Sequence, residues 1–452
     1  MPPAAGRVRT SRGSLKELSE ITCGFVDHGG LYQPLAERLA ESYKRVIYTD
    51  PAAEDSESIN EAIIGESFPD NPRFERTDDI WLHKADLDLV VVPDSKAAGL
   101  QLEFQSQGFP VWGSRRSIFL EQSRETFIRV LKDLGFEIPP FERIVGITAL
   151  RKYLEKRENQ IIKISKYRKT METKKWSSMD EDEWWLDLMA VRLGGLKELF
   201  PFLVFESIDT PFELGGDTYV IDGRYPRHML DGYEAKDNAY LSTFKPMEEQ
   251  PEQIQAIMEA FAPLLKKTGH RNFWTMEVRV KGKHYYFIDN TPRGPKPAND
   301  SQIAIYKNLP KIIAAGAEGE LIEPEVEHKF SAEVALCKKG CDNAWRSTRV
   351  PEELKEWMKL SGFCRVNGRS WIPYREKDDE GIGWLVAVGD TPAEVVTNIL
   401  AYKRLLPPGV EASTDGLVEL LQEIHKAEEQ GMEFTDKEVP EAEMVVTEDG
   451  KN

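Results

Sequence analysis

Phe273-Trp274-Thr275-Met276-Glu277-Val278-Arg279-Val280, followed by Tyr286-Phe287-Ile288-Asp289-Asn290 and then Thr291-Pro292-Arg293-Gly294-Pro295-Lys296-Pro297, is the stretch whose reading decides the fold. Asn272 to Val280 and His284 to Asn290 read as the strands of a hairpin that turns at Lys281-Gly282-Lys283. Trp274, Met276, Val278 and Val280 make an apolar face, and alternation sends Thr275, Glu277 and Arg279 to the other side. With a three-residue turn, Glu277 sits opposite Phe287 and Thr275 opposite Asp289. Glu277 and Asp289 are then diagonal neighbours on one face, roughly 7–8 Å apart at the backbone. Two such carboxylates can hold magnesium, a hard cation that takes oxygen at about 2.0–2.1 Å beside nucleotide phosphates. A two-residue turn would put them on opposite faces. The run after the second strand carries Arg293 and Lys296 on a backbone stiffened by prolines, a setting for an anionic substrate.

Upstream, short apolar strands alternate with helices: Ile21 to Val26, Arg45 to Tyr48, Leu87 to Val92 and Pro110 to Gly113, with helices after Gly30 and over Ala97 to Gln107. That alternation predicts a doubly wound parallel sheet. Ala52 to Asp79 is a polar insert. The periodicity predicts one long amphipathic helix from Ser114 to Leu134, then strands at Phe141 to Val145 and Gln160 to Ile164 around a helix. A charged segment with Trp176, Trp184 and Trp185 follows, expected as a surface helix with one anchoring face. Phe202 to Phe205 and Gly216 to Ile221 read as strands, Gln253 to Lys267 as an amphipathic helix. Phe330 to Leu336 and Trp384 to Val388 read as later strands, the latter leading into a helix capped by Thr391, Pro392 and Glu394.

The 452 residues exceed one core, and 40% hydrophobic content supports folded domains. The expected division is a disordered leader over 1–18, an α/β domain over 19–113, and a two-lobed domain over 114–329. Its lobes meet near 200, and an α+β domain over 330–426 and a disordered acidic tail over 427–452 complete the chain. A net charge of -18, from 77 acidic and 59 basic residues, is the wrong sign for tracking a phosphate backbone. No run reaches the roughly 20 apolar residues of a membrane span. Four scattered cysteines make neither a disulfide framework nor a complete metal-ligand set, and are expected as reduced thiols in the cytoplasm.

A strand ending in an acidic residue and soon followed by Asn290, Thr291 and Arg293, after a strand bearing a Glu, resembles the metal-binding end of ATP-grasp ligases. Gly113-Ser114 and Leu120-Glu121-Gln122-Ser123-Arg124 resemble a helix of the phosphoribosylamine–glycine ligase branch. Ile161-Ile162-Lys163 is similar to its strand with a nucleotide-phosphate Lys. Val204-Phe205-Glu206, with Glu213 seven residues on, is similar to its hinge acid and ribose-binding Glu, and Trp384 to Glu394 to its C-terminal domain. The ordered series covers residues 21 to 405. It implies an ATP-grasp fold, with the N-terminal parallel sheet as a pre-ATP-grasp domain and a small C-terminal α+β domain. It implies nucleotide contacts from Arg124, Lys163, Lys174, Glu206 and Glu213, and a metal site of Glu277 and Asp289 with Asn290 or Thr291. Arg293 becomes the catalytic cation, and Gly29, Gly30, Asp94 and Lys296 the substrate contacts.

What the resemblance implies in function is amide formation from a small-molecule carboxylate and amine, through an acyl-phosphate, with ATP and Mg2+ (or Mn2+) and release of ADP. Alternatives are a ligase for a macromolecular acceptor (a protein or a modified nucleic-acid base) and a non-catalytic nucleotide-binding scaffold. A monomer or homodimer is expected. The chain departs from the branch in places. Ser165 to Lys175 contains no glycine where the branch has a glycine-rich loop, and Arg124 stands where a second Lys is usual. Thr291 occupies the Asn position in an ungapped match. Gly29-Gly30-Leu31-Tyr32 lacks the Arg-Glu used near phosphoribosylamine, which disfavours phosphoribosylamine and glycine as the substrate pair.

Overall fold

The computed structural model describes residues 7–9, 15–51, 63–66, 71–164, 173–208, 213–235, 238–281, 284–341, 344–373, 381–429, 431 and 434–449. The chain forms two compact units: residues 1–117, 214–276 and 291–452 make the first, and residues 118–213 and 277–290 the second. The expected seams near 113, 200 and 329 do not coincide with this division.

In the first unit, β1 (Thr22–Val26), β2 (Arg45–Thr49), β3 (Phe74–Arg76), β4 (Leu89–Val92) and β5 (Val111–Gly113) run parallel in the order β3-β2-β1-β4-β5. Four are the expected strands, and β3 adds a fifth from the polar insert. All side chains of β1, β4 and β5 are buried, as in a parallel sheet covered on both faces. α1 (Gln33–Ala40) follows β1 and buries Leu35, Ala36, Leu39 and Ala40. The strand order reverses between β1 and β4, the kind of switch point beside which open α/β sheets bind their ligands.

The second unit holds a four-stranded sheet. The long helix predicted from Ser114 to Leu134 is broken at Ser123, whose extended backbone and side chain cap α2 (Arg124–Asp133) by accepting from the Thr126 amide. Serine competes for backbone donors in this way, which ends one helix and starts the next. β6 (Phe141–Val145), α3 (Ile147–Leu154), β7 (Gln160–Lys163), β8 (Thr173–Trp176), α4 (Met179–Leu193) and β9 (Pro201–Glu206) follow, with strand order β8-β7-β9-β6. One face packs Ile162, Trp176, Phe202 and Val204 against Leu150 of α3 and Trp185 of α4. Trp184 is exposed while Trp185 is buried, which matches a surface helix with one anchoring face. The other face joins Ile161, Leu203 and Phe205 to Ile128 of α2.

Back in the first unit come β10 (Glu213–Ile221), β11 (His228–Ala235), β12 (Ala239–Pro246) and α5 (Glu252–Thr268), then β13 (Arg271–Lys281), which belongs to the first unit up to Met276 and to the second from Glu277, and β14 (His284–Thr291), which belongs to the second except for Thr291. α6 (Asn299–Ile305), α7 (Leu309–Glu318), β15 (Phe330–Lys338), β16 (Met358–Leu360) and β17 (Gly381–Gly389) follow in the first unit. From β5 the sheet continues β13-β10-β11-β12-β15-β17-β16. Residues 239–243 of β12 pair with 330–334 of β15, so the expected seam at 329 is crossed by a continuous ladder. Phe25, Trp112, Tyr219, Leu230, Ile312 and Val386 belong to one core.

Two stretches expected to be disordered carry secondary structure among their described residues. Within the predicted leader, Arg7–Arg9 pairs antiparallel with Leu15–Glu17, and Lys16 ion-pairs with Asp88 at 2.6 Å. Within the predicted tail, α8 (Thr414–Glu429) packs with α9 (Ala442–Asp449), and Phe434, Val439 and Val445 are buried. A few apolar anchors in an acidic stretch suffice when a core is there to receive them. Thr391 caps its helix through the Glu394 amide as expected.

Candidate functional site

In the second unit, the carboxylate of Asp289 on β14 sits between two cations. Arg124, the first residue of α2, donates to Asp289 Oδ2 at 2.6 Å and to the Ile288 carbonyl at 3.0 Å. The guanidinium fork suits this double reach, which an ammonium in its place would not reproduce. Arg124 is 4% exposed, so its charge needs the partner that Asp289 supplies. Lys163 Nζ lies 3.7 Å from the same oxygen. Asp289 Oδ1 accepts from the Asn290 amide at 2.9 Å. Phe127 of α2 meets Phe287 edge-on at 5.2 Å, which fixes α2 against β14.

Alternation along β14 separates the two candidates for the third metal ligand. Asn290 is buried and donates through Nδ2 to the Leu120 carbonyl at 3.4 Å, while its Oδ1 has no hydrogen-bond partner. Asp289 and Thr291 lie on the other side of the strand. On β13, Trp274 packs on Phe261 and Met276 on Ile254 around Gly216, both toward α5, so Thr275 and Glu277 turn away from that helix. Lys281, expected in the turn, belongs to β13, and Gly282 and Lys283 lie outside the described residues. The pairing that would set Glu277 beside Asp289 hangs on that turn and stays an expectation. Among the described residues, no group of three or more His, Cys, Asp or Glu side chains is arranged to hold a metal.

The β-sheet register sorts the nucleotide candidates. Lys163 pairs with Thr173 on one side and Leu203 on the other, so it shares a face with Ile161, Leu203 and Phe205. Lys174 pairs with Ile162 and stands on the opposite face, where it ion-pairs with Asp182 of α4 and lies 5.3 Å from the Trp184 ring. The structure therefore does not bring Lys174 to Lys163. Thr173 and Lys175 share the Lys163 face instead, a placement that sequence alone hid because the register is set across 165–172. Glu206 pairs with Gln160 and alternates to the face of Phe202 and Val204, also away from Lys163, at the exposed end of β9. Glu213 opens β10, and its side chain lies outside the described residues.

In the first unit, Arg293 is held at the carboxyl edge of the parallel sheet. Its guanidinium donates to the Gly294 carbonyl at 2.9 Å and reaches the Tyr32 hydroxyl at 3.4 Å. Tyr32 also donates to the Gly294 carbonyl at 2.6 Å, and the Gly294 amide to the Pro93 carbonyl at 3.0 Å. A Cβ at Gly294 would come within 2.5 Å of the Tyr32 ring, so only glycine allows this close approach. Lys296 ion-pairs with buried Asp300 and lies 5.8 Å from the Tyr32 ring centroid. Its charge is committed there rather than presented to a substrate. Glu333 accepts from the Ala298 and Ser301 amides at 2.8 and 2.6 Å, and burial, then the nearby Asp300, holds its carboxyl above the usual range. Gly29 and Gly30 take positive φ of 66° and 73° after β1. At Gly30 a Cβ would meet the Gly362 backbone at 2.5 Å. Asp94 follows β4 and is 3% exposed.

No known protein family profile matches the sequence, and no curated protein is significantly similar to it. Solved structures are. The phosphoribosylamine–glycine ligase of Thermotoga maritima superimposes with a TM-score of 0.62 at 15% identity, over 87% of this chain and 99% of that one. The biotin carboxylase domain of the Hydrogenobacter thermophilus 2-oxoglutarate carboxylase, a dimer in complex with MgADP, ADP and bicarbonate, gives 0.62 at 12% identity, over 91% and 96%. The N5-carboxyaminoimidazole synthetase of Staphylococcus aureus complexed with ADP gives 0.57 at 15% identity, over 84% and 96%. Identity this low speaks for the fold, and the order of strands and helices agrees with it. The chain thus has the ATP-grasp fold, and over most of its length it is similar to the phosphoribosylamine–glycine ligase branch.

Proposed function

We propose that the protein is an ATP-dependent carboxylate–amine ligase that forms an amide through an acyl-phosphate and releases ADP and phosphate. The observation that carries the reading is Asp289 flanked by Arg124 and Lys163 in one unit. A carboxylate between two cations is an arrangement that a metal–triphosphate can enter by exchange: carboxylate to metal, cations to phosphate. Asp289, with Glu277 and Thr291, is the proposed magnesium ligand set, and the ion when bound neutralises phosphate charge. Lys163 and Arg124 bind and orient the phosphates, joined by Lys175 and Thr173 on the same face of β7 and β8. Arg293 holds the carboxylate substrate in bidentate fashion. The chain's contribution is placement and charge neutralisation, as in other phosphoryl transfers.

Small-molecule substrates fit the similarity to a phosphoribosylamine–glycine ligase, an N5-carboxyaminoimidazole synthetase and a biotin carboxylase domain solved with bicarbonate. Cys23, Cys337, Cys341 and Cys364 are not disulfide-bonded, the state a reducing compartment maintains, and the cytoplasm is the proposed setting. Among the described residues, no helix is long and apolar enough to cross a membrane. The test is a screen of amine and carboxylate pairs for ADP release. ADP that appears only when both are present supports the ligase, whereas AMP release, or ADP release indifferent to the amine, overturns it.

A further inference from the structure

Arg346–Thr348, Arg369–Ile372 and Cys364–Val366 form a small antiparallel sheet in the first unit. Arg346 ties it to the turn after β15 by donating to the Gly340 carbonyl at 3.0 Å. A cleft of about 510 Å³ lies between this sheet and the turn that follows the helix over Pro392–Lys403. Its sheet side carries Ser347, Arg349 and Arg369, and its other side is the apolar run Leu405, Leu406 and Pro408. Both arginines are exposed, as is Leu405, so the cleft is open to a ligand from solvent.

The cations here are not neutralised. Arg369 Nε donates to Ser347 Oγ at 3.0 Å, which braces the guanidinium and leaves its two terminal nitrogens to a ligand. Lys338, the last residue of β15, is 6% exposed, and its Nζ donates to the Pro408 carbonyl at 3.2 Å, behind the apolar side of the cleft. Among the described residues, Lys338, Arg349 and Arg369 make no ion pair, whereas neighbouring Lys339 is matched to Glu411 at 2.6 Å. Burial lowers the proton affinity of Lys338; the Cys341 thiol opposes this, and Arg346 and Arg369 add to it. A buried ammonium among guanidinium groups is unfavourable until an anion arrives. The chain as a whole carries a net charge of -18, so a small anion is repelled by most of the surface and drawn to this patch.

The two walls define the ligand. A guanidinium fork matches phosphate oxygens in bidentate fashion, and two forks suit a doubly charged group better than a single carboxylate. The apolar wall calls for a ligand with an apolar body, and the volume lies in the range of small-molecule pockets. We propose that this cleft is a second anion site, built for a small organic phosphate whose phosphate group lies on Arg349 and Arg369 and whose apolar part lies on Leu405, Leu406 and Pro408. It is a different cluster from Arg124 and Lys163, which belong to the second unit. It therefore stands whether or not the ligase reading holds.

Phenyl phosphate, an aryl group joined to a dianionic phosphate, is the probe, and equilibrium dialysis against the full chain counts what is bound. Binding should persist in saturating Mg-ATP, and inorganic phosphate should bind about tenfold or more weaker for want of the apolar contact. Arg349→Gln and, independently, Arg369→Gln should each weaken phenyl phosphate about tenfold or more, the worth of a charge-assisted hydrogen bond. Both side chains are exposed, and unchanged thermal unfolding reports that the variants fold. Lys163→Ala should bind phenyl phosphate like the wild type. The proposal is overturned if the wild type takes up none at millimolar concentration, if inorganic phosphate binds as tightly, or if both arginine variants bind normally. Loss of binding in Lys163→Ala or in Mg-ATP would put the phosphate on the nucleotide-binding cations, and that too overturns it.

Discussion

Asp289 makes two ion pairs through one oxygen, and both partners, Arg124 and Lys163, are groups that a nucleotide phosphate would claim. Substituting Asp289→Asn removes the charge and keeps the size. Loss of even an outer partner of a metal ligand costs about 10–100-fold in metal affinity, so Mg2+-dependent ATP binding in this variant should fall by at least that much. Thermal shift against Mg-ATP reads it, and an unchanged shift would remove Asp289 from the site. A second pair of variants separates the neighbours on β14. Thr291→Ala should weaken the Mg-ATP shift. Asn290→Ala, on the buried side, should instead cost about 1–3 kcal/mol of stability by stranding the Leu120 carbonyl, with Mg-ATP binding kept. The reverse pattern would make Asn290 the ligand. The sequence left both open because an ungapped match and a residue type pointed to different positions, whereas alternation and burial in the folded strand tell them apart.

At the scale of the element, the period of two in β7 and β8 decides which lysines can serve a nucleotide. Lys163 and Lys174 look equivalent as basic residues flanking one loop, yet their register puts them on opposite faces of the sheet. Lys163→Ala should therefore abolish most of the Mg-ATP shift. Lys174→Ala should leave it unchanged and lower stability by up to about 1 kcal/mol, since the Lys174–Asp182 pair is partly buried. Equal losses from both would mean that the Lys174 ion pair opens to the nucleotide. The parallel strands of the first unit were legible because each is a short, uninterrupted apolar run. β3 was not, because Phe74-Glu75-Arg76 buries one side chain and offers no periodic pattern. The break at Ser123 carried a local signal, a serine with side-chain reach to the amide three residues on, but amphipathic periodicity on both sides concealed it. For Glu206, read as flanking a loop after a strand over Phe202 to Phe205, the period of two likewise says nothing about its face until the pairing with Gln160 is known.

Over the whole first unit, one sheet and one core link the N-terminal strands, β10 to β12 and the strands after 330, which is why composition shifts along the chain did not mark its units. The acidic C-terminal stretch shares that stability. Phe434 is fully buried and meets Tyr233 edge-on at 5.3 Å, so Phe434→Ala should cost about 3–5 kcal/mol in urea unfolding, and a cost near zero would return the tail to disorder. The same sheet also sets a dependence on pH. Asp217 on β10 accepts from Thr275 and Tyr240 at 2.6 Å each, and burial outweighs these donors and lifts its carboxyl from 3.8 to about 6. Between those values the folded state keeps a proton that the unfolded state has lost, so the contribution of Asp217 to stability is complete below pH 3.8 and disappears as pH rises through 6. His270 acts in the opposite direction, since burial lowers its proton affinity to about 4, so total stability mixes the two. The difference between wild type and Asp217→Asn cancels His270. At about 1.4 kcal/mol per pH unit, that difference should move against the wild type by about 2 kcal/mol from pH 4 to pH 6.5. Urea unfolding at half-unit steps measures it, and a flat difference would show that Asp217 is already ionised in the fold at pH 4.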